Sequence, residues 1–183
     1  FRSKAALTSV EQLDIQGSPL RRIFERGSTL GSPEVSPLSL SLDPLAESPR
    51  RIQVRFLTPT ELKSGQQLAD RPEFGILLAR IRDRVGTLTA LYGAGPLEID
   101  FAAFGRRASE VRMTRCELEQ VSVSRLSSRT GQRHSLGGFK GLAEYEGQLA
   151  EFAPFLIAAQ FSGVGRQTTW GKGEIGVEAT SRT

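Results

Sequence analysis

The sequence predicts an α+β domain, and three observations carry the prediction. Ile52, Val54 and Phe56 alternate with Gln53 and Arg55, the period of a half-buried strand. Phe74, Leu77, Leu78, Ile81, Val85 and Leu88 recur at three- and four-residue intervals, the period of one helical face. Both signals then return, as a strand over Phe139–Glu146 and a helix over Leu149–Phe161 with Phe152, Phe155, Leu156 and Ala159 on one side.

Taken in order, residues 1–50 carry the weaker signals. Lys4–Asp14 reads as a strand, Gly17-Ser18-Pro19 as a turn and Leu20–Glu25 as a returning strand. Pro33, Pro37, Pro44 and Pro49 remove amide donors and disfavour a helix, so Gly31–Arg50 reads as an extended Ser/Pro-rich linker. Within it Leu38, Leu40 and Leu42 alternate with serines, as in an edge strand. From Arg51 a strand runs until Pro59 ends it, and a helix spans Pro72–Tyr92, capped by Asp70 and stopped by Gly93 and Gly95. A short helix over Asp100–Ala108 follows. Val111, Met113, Leu118, Val121, Val123 and Leu126 mark a long strand or a bent pair, Arg129–Gly138 a turn, and Gly173–Ala179 a closing strand. The order from Arg51 is strand, helix, strand, strand, helix, strand, the ferredoxin-like (RRM-like) βαββαβ pattern, with an antiparallel sheet under two helices. Residues 51–183 form that domain, and residues 1–50 are read as a hairpin and linker at the tail of an upstream domain. The chain opens on Phe1-Arg2, so it is read as a piece of a longer protein.

Composition narrows the function classes. A net charge of +4 and a pI near 9.7 permit a polyanionic partner. No apolar run approaches the roughly 20 residues of a membrane span, so no membrane partner is expected. One cysteine, Cys116, precludes an internal disulfide and suits the cytoplasm. With one histidine beside it, a zinc site of nitrogen and sulfur ligands cannot be assembled, and neither metal nor cofactor is expected.

The most informative segment is Gly163-Val164-Gly165-Arg166-Gln167-Thr168-Thr169-Trp170-Gly171-Lys172-Gly173. Glycine supplies positive φ at no steric cost, so consecutive amides can converge on an anion, with Arg166 and Lys172 beside them. A tight loop with glycines for turns is the competing reading. A P-loop would need glycine where Arg166 stands and Ser or Thr where Gly173 stands. A dinucleotide fingerprint would need glycine at Thr168, and a strand before the loop rather than a helix. A sugar-phosphate strand fits better than a nucleotide cofactor.

A second basic group surrounds the 129–138 turn. Arg125, Arg129, Arg133 and Lys140 read either as phosphate contacts or as a hydrated hairpin face. His134, the one imidazole, lies in the same turn and is not assigned a catalytic role. Trp170 is a candidate stacking surface for a base, while Tyr145 and Cys116 read as packing residues.

These segments, in this order, resemble the RAMP superfamily, and most closely the CRISPR-associated endoribonucleases that cut precursor CRISPR RNA. Val54–Thr60 resembles that family's first strand and turn, Arg125–Gln132 with Leu136-Gly137-Gly138-Phe139 and Gly141 its central hairpin, and Phe152–Phe155 its second helix. The loop from Gly163 to Gly173 resembles its glycine-rich loop. The resemblance covers residues 51–179 and implies the second of two tandem ferredoxin-like domains. It implies that Gly163, Gly165, Arg166, Gln167, Thr168, Trp170, Gly171, Lys172 and Gly173 contact RNA, a CRISPR repeat transcript, with Arg125, Arg129, Arg133 and Lys140 adding phosphate contacts. It also implies metal-independent cleavage through the substrate's 2′-hydroxyl, other CRISPR-associated proteins as partners, and a catalytic histidine in the upstream domain. A non-catalytic guide-RNA-binding subunit and a protein-interaction module remain open alternatives.

Overall fold

A computed structural model describes residues 4–15, 17–28, 37–93, 95–126 and 131–180. The chain divides into two compact units, residues 1–40 and 41–183. In the first, β1 (Ser9–Leu13) and β2 (Pro19–Glu25) pair antiparallel. Pro19 opens β2, where its missing N–H is least missed. Arg22 bridges Glu11 at 3.2 Å and Glu25 at 3.0 Å on this exposed ribbon.

The second unit contains β3 (Arg51–Thr60), the two-residue strands β4 (Lys63–Ser64) and β5 (Gln67–Leu68), and α1 (Phe74–Tyr92). These are followed by α2 (Phe101–Glu110), β6 (Arg112–Val121), β7 (Ser124–Leu126), β8 (Arg133–Ser135), β9 (Gly138–Glu146), α3 (Ala153–Ser162) and β10 (Ile175–Thr180). The main sheet is antiparallel, in the order β10-β3-β9-β6. With β3, β6, β9 and β10 numbered one to four, that order is 4-1-3-2, so the ferredoxin-like fold predicted from the element sequence is the fold observed.

The period-two face of β3 is buried, with Ile52 and Val54 at 0% exposure, and so is the α1 stripe at Phe74, Leu77, Leu78, Ile81 and Val85. Leu88 is only half-buried. α3 is buried nearly all round, so it reads as an apolar run rather than a stripe. An aromatic chain joins the layers. Tyr145 of β9 lies 4.9 Å from Phe74, which lies 5.4 Å from Phe152, and Phe152 meets Phe104 of α2 at 5.0 Å. The Tyr145 hydroxyl donates to the Pro72 carbonyl at 2.6 Å, and burial holds its pKa well above the ordinary phenol value.

The opposite sheet face carries alternating charges. Arg51 pairs with Glu144 and Glu146, Arg55 with Glu178, and Arg115 with Glu117. Each cation there has an acidic neighbour, so the face is a charge mosaic rather than a basic platform.

Several boundaries differ from expectation. Pro59 does not end β3, which runs to Thr60. The register against β9 is irregular between Phe56 and Thr60, where a proline without an N–H is tolerated. Asp70 does not cap α1, which begins at Phe74 after Glu73 with no side-chain cap. α3 starts at Ala153 rather than Leu149, because residues 149–152 form a turn in which the Phe152 and Ala153 amides donate to Leu149. No strand forms over the described part of the proline-rich stretch, residues 37–50, and its remainder lies outside the described residues. Residues 41–50 belong to the second unit, with Pro49 buried and the Leu45 amide donating to Ala150.

Candidate nucleic-acid interface

The glycine loop follows α3 and leads into β10, and residues 58–61 at the end of β3 shape it. The Gly173 amide donates to Pro59, the Arg166 amide to Glu61, the Glu174 amide to the Thr58 hydroxyl, and the Val164 amide to Gly173. The Gly163 amide caps α3 on Ala159, and Gly171 closes a short 3-10 turn over Thr168–Trp170. Among the described residues, the Gly165, Gln167, Thr168, Thr169 and Lys172 amides have no main-chain acceptor.

This corrects the reason inferred for the glycines. Gly165 and Gly173 have φ of +83° and +75°, and a Cβ on them would strike the Glu61 and Val164 carbonyl oxygens respectively. Gly165 allows the loop to lie against the residue that follows β3, and Gly173 allows the two ends of the loop to touch. The Val164, Arg166 and Glu174 amides beside them are already committed, so the ends of the segment are a folded turn, and the run of uncommitted amides is confined to residues 167–169.

Lys172 is also corrected. Its side chain is 3% exposed, and its ammonium lies 2.9 Å from Glu61 Oε2 and donates to the Gly137 carbonyl at 2.5 Å. It therefore braces the loop against the chain just before β9 instead of facing solvent. Glu61, missed by sequence reading, also lies 3.6 Å from Arg166 Nη1. Only its place directly after a strand could have drawn notice; nothing in local spacing links it to a lysine near the C-terminus.

The exposed part of the loop consists of Arg166, with 47% of its side chain accessible, Thr169, Trp170, with 45%, and Gly171. Thr168 is half-buried. Gln167 is a non-glycine residue in the left-handed region, at φ 61°, and its Oε1 is buried without a hydrogen-bond partner.

Of the second basic group, Arg125 lies in β7 and Arg133 in β8, two strands that pair as an antiparallel ribbon, with Arg125 opposite His134. β8 thus falls within the stretch expected to be a turn. Arg129 lies outside the described residues. Lys140 sits half-buried in β9, opposite Glu119 of β6. The Gly137 carbonyl held by Lys172 lies between β8 and β9, so the loop is tied to the chain that leads out of this ribbon. No group of His, Cys, Asp and Glu that could hold a metal ion occurs among the described residues. Nor is any described helix long and apolar enough to cross a membrane. A cleft of about 340 Å³ lies elsewhere, along the start of α1 between Lys63, Arg80 and Ser109, and none of the site residues read from sequence line it.

Comparison with solved structures gives the same fold. Thermus thermophilus Cas6 (TTHB231) superposes with a TM-score of 0.54 at 20% identity, over 73% of this chain and 55% of that one. A Cas6 (TTHB231) product complex gives 0.55 at 20% identity, over 72% and 52%. A partial Cas6-RT-Cas1–Cas2 complex gives 0.51 at 18% identity, over 76% of this chain and 24% of that one. The chain thus spans about half the length of the Cas6 structures it matches. No curated protein matches it. The sequence pattern of the CRISPR-associated endoribonuclease Cas6 family matches residues 54–175, from the middle of β3 to the start of β10, with the glycine loop inside the match. The chain belongs to the CRISPR-associated endoribonuclease Cas6 family.

Proposed function

We propose that this chain is the RNA-binding domain of an endoribonuclease that processes precursor CRISPR RNA, with the chemistry completed by an upstream domain. The observation that carries the reading is the family match over residues 54–175, on a ferredoxin-like sheet whose glycine loop exposes Arg166 and Trp170 together. Arg166 supplies a phosphate partner and Trp170 a face for a base. The glycines and Lys172 set the loop's shape. Arg125, Arg133 and Lys140, with Arg129, extend the phosphate contacts. The reaction we assign to the whole protein is attack of a ribose 2′-hydroxyl on the adjacent phosphorus with loss of the 5′-oxygen, which needs proton transfer and charge stabilisation but no metal. Other CRISPR-associated proteins are the partners it would meet.

The test is full-length protein incubated with repeat RNA in EDTA. A single cut leaving a 2′,3′-cyclic phosphate supports the reading, and bound but uncut RNA overturns its catalytic part. The latter result selects the second reading, a guide-RNA-binding subunit. Affinity is expected to fall with salt at a log–log slope of about −0.7 per phosphate contact. No binding at low salt would leave only a protein-interaction module.

A further inference from the structure

We propose that Gln167 is the residue with which the glycine loop recognises a hydrogen-bond donor on a bound nucleotide, an inference that rests on the RNA reading above. Two independent observations single it out. The first is its backbone, at φ 61° and ψ 32°, the left-handed region that L side chains avoid. The loop's other positive-φ positions, Gly163, Gly165, Gly171 and Gly173, are all glycine, so glutamine stands where the same chain uses glycine four times. The second is its side-chain carbonyl, buried with no donor in reach, whereas nearly all buried acceptors are paired.

Both features work against the folded chain, and glycine at position 167 would remove both. Strain and an unpaired polar atom in one residue point to a ligand that completes it. The neighbours offer other contacts. Exposed Arg166 offers donors only, and Trp170 offers the face of a ring. Thr169 adds a hydroxyl that both donates and accepts, and Gln167 carries the acceptor that the folded chain leaves buried and unpaired. The residue is part exposed, so rotation of its side chain brings Oε1 to the loop surface. There it accepts from a ribose 2′-hydroxyl or from an exocyclic amine of a base, the two donor sources a single-stranded RNA presents.

The experiment compares wild type with Gln167→Gly in the full-length protein, by unfolding midpoint and by RNA binding at fixed salt. Three RNAs are used: the repeat, the repeat with 2′-deoxy substitutions, and the repeat with base analogues lacking the exocyclic amine. Gln167→Gly is expected to raise the unfolding midpoint and to weaken repeat RNA binding about five- to tenfold. That difference should vanish on whichever modified RNA has lost the donor, which identifies the source. Gln167→Asn, which tolerates the left-handed backbone but shortens the amide, should keep wild-type stability and show the same loss of binding. A Gln167→Gly protein that is less stable, or that binds RNA as well as wild type does, overturns the inference and leaves the RNA reading intact. Equal weakening on all three RNAs overturns it too. Wild type that binds no RNA sinks the RNA reading and this inference with it.

Discussion

The Lys172 ammonium and the Glu61 carboxylate lie 2.9 Å apart where the glycine loop meets the end of β3, with 3% and 13% of their side chains exposed. The two partners are not equivalent. Glu61 keeps a second cation, Arg166, and some access to water, whereas among the described residues Lys172 has only Glu61 and the Gly137 carbonyl.

Removing the acid therefore does more harm than removing the base. Glu61→Ala strands a buried ammonium and is expected to cost about 3–5 kcal/mol. Lys172→Met leaves Glu61 partly solvated and paired with Arg166, and is expected to cost about 1–3 kcal/mol. Urea unfolding of both variants measures the order; a larger loss for Lys172→Met would contradict it.

Two glycines of the same loop separate backbone preference from packing. At Gly171, φ is +82° but a Cβ would enter open space, so alanine there is expected to cost about 1–2 kcal/mol. At Gly173 a Cβ meets the Val164 carbonyl, and Gly173→Ala should cost about 1–3 kcal/mol more, or prevent folding. Comparable midpoints for the two variants would show that the contact with Val164 is easily relieved.

Tyr145→Phe deletes a buried hydroxyl and leaves the Pro72 carbonyl without its donor, with an expected loss of about 1–3 kcal/mol. Burial also raises the Tyr145 pKa, so the folded state holds its proton more tightly than the unfolded chain. Stability is thus full below the ordinary phenol pKa and declines as pH rises through and above it. Tyr145→Phe should flatten that alkaline decline when unfolding is followed from pH 8 upward.

Asp100 caps α2, accepting from the Ala102 and Ala103 amides at 3.0 Å each. The Ala103 amide first, then the Ala102 amide, lowers its pKa, with Arg106 and Arg107 adding to the effect. Its contribution is therefore present above the unfolded carboxylate pKa and is lost as pH falls through the lower folded value. Asp100→Ala should lower the unfolding midpoint at pH 7 and make little difference at pH 2; an equal deficit at both would remove the capping explanation.

The fold was legible because its signals are local. The alternation in β3 and the stripe in α1 record burial one residue at a time, and the order of elements leaves few topologies to choose from. The helix start failed because Asp70 and Pro72 have cap-like spacing, yet the Pro72 carbonyl serves Tyr145, far along the chain. The loop was found from its glycines, but their purpose was misread. A positive φ is the same in sequence whether it frees amides or lets two backbones touch, and only the Glu61 and Val164 oxygens distinguish the two. Lys172 was misplaced for a similar reason, since a lysine between glycines shows nothing of a carboxylate brought to it by the sheet.

The bond from Lys172 to Gly137 joins segments 35 residues apart, and its salt bridge reaches back further still, to the end of the first core strand. Contacts of such long sequence separation form after local ones, because chain closure must precede them. The loop should then acquire its shape last, as β10 zips onto β3. A chain halted before that step would hold β3, β9 and β6 in register while the loop still lacked its shape.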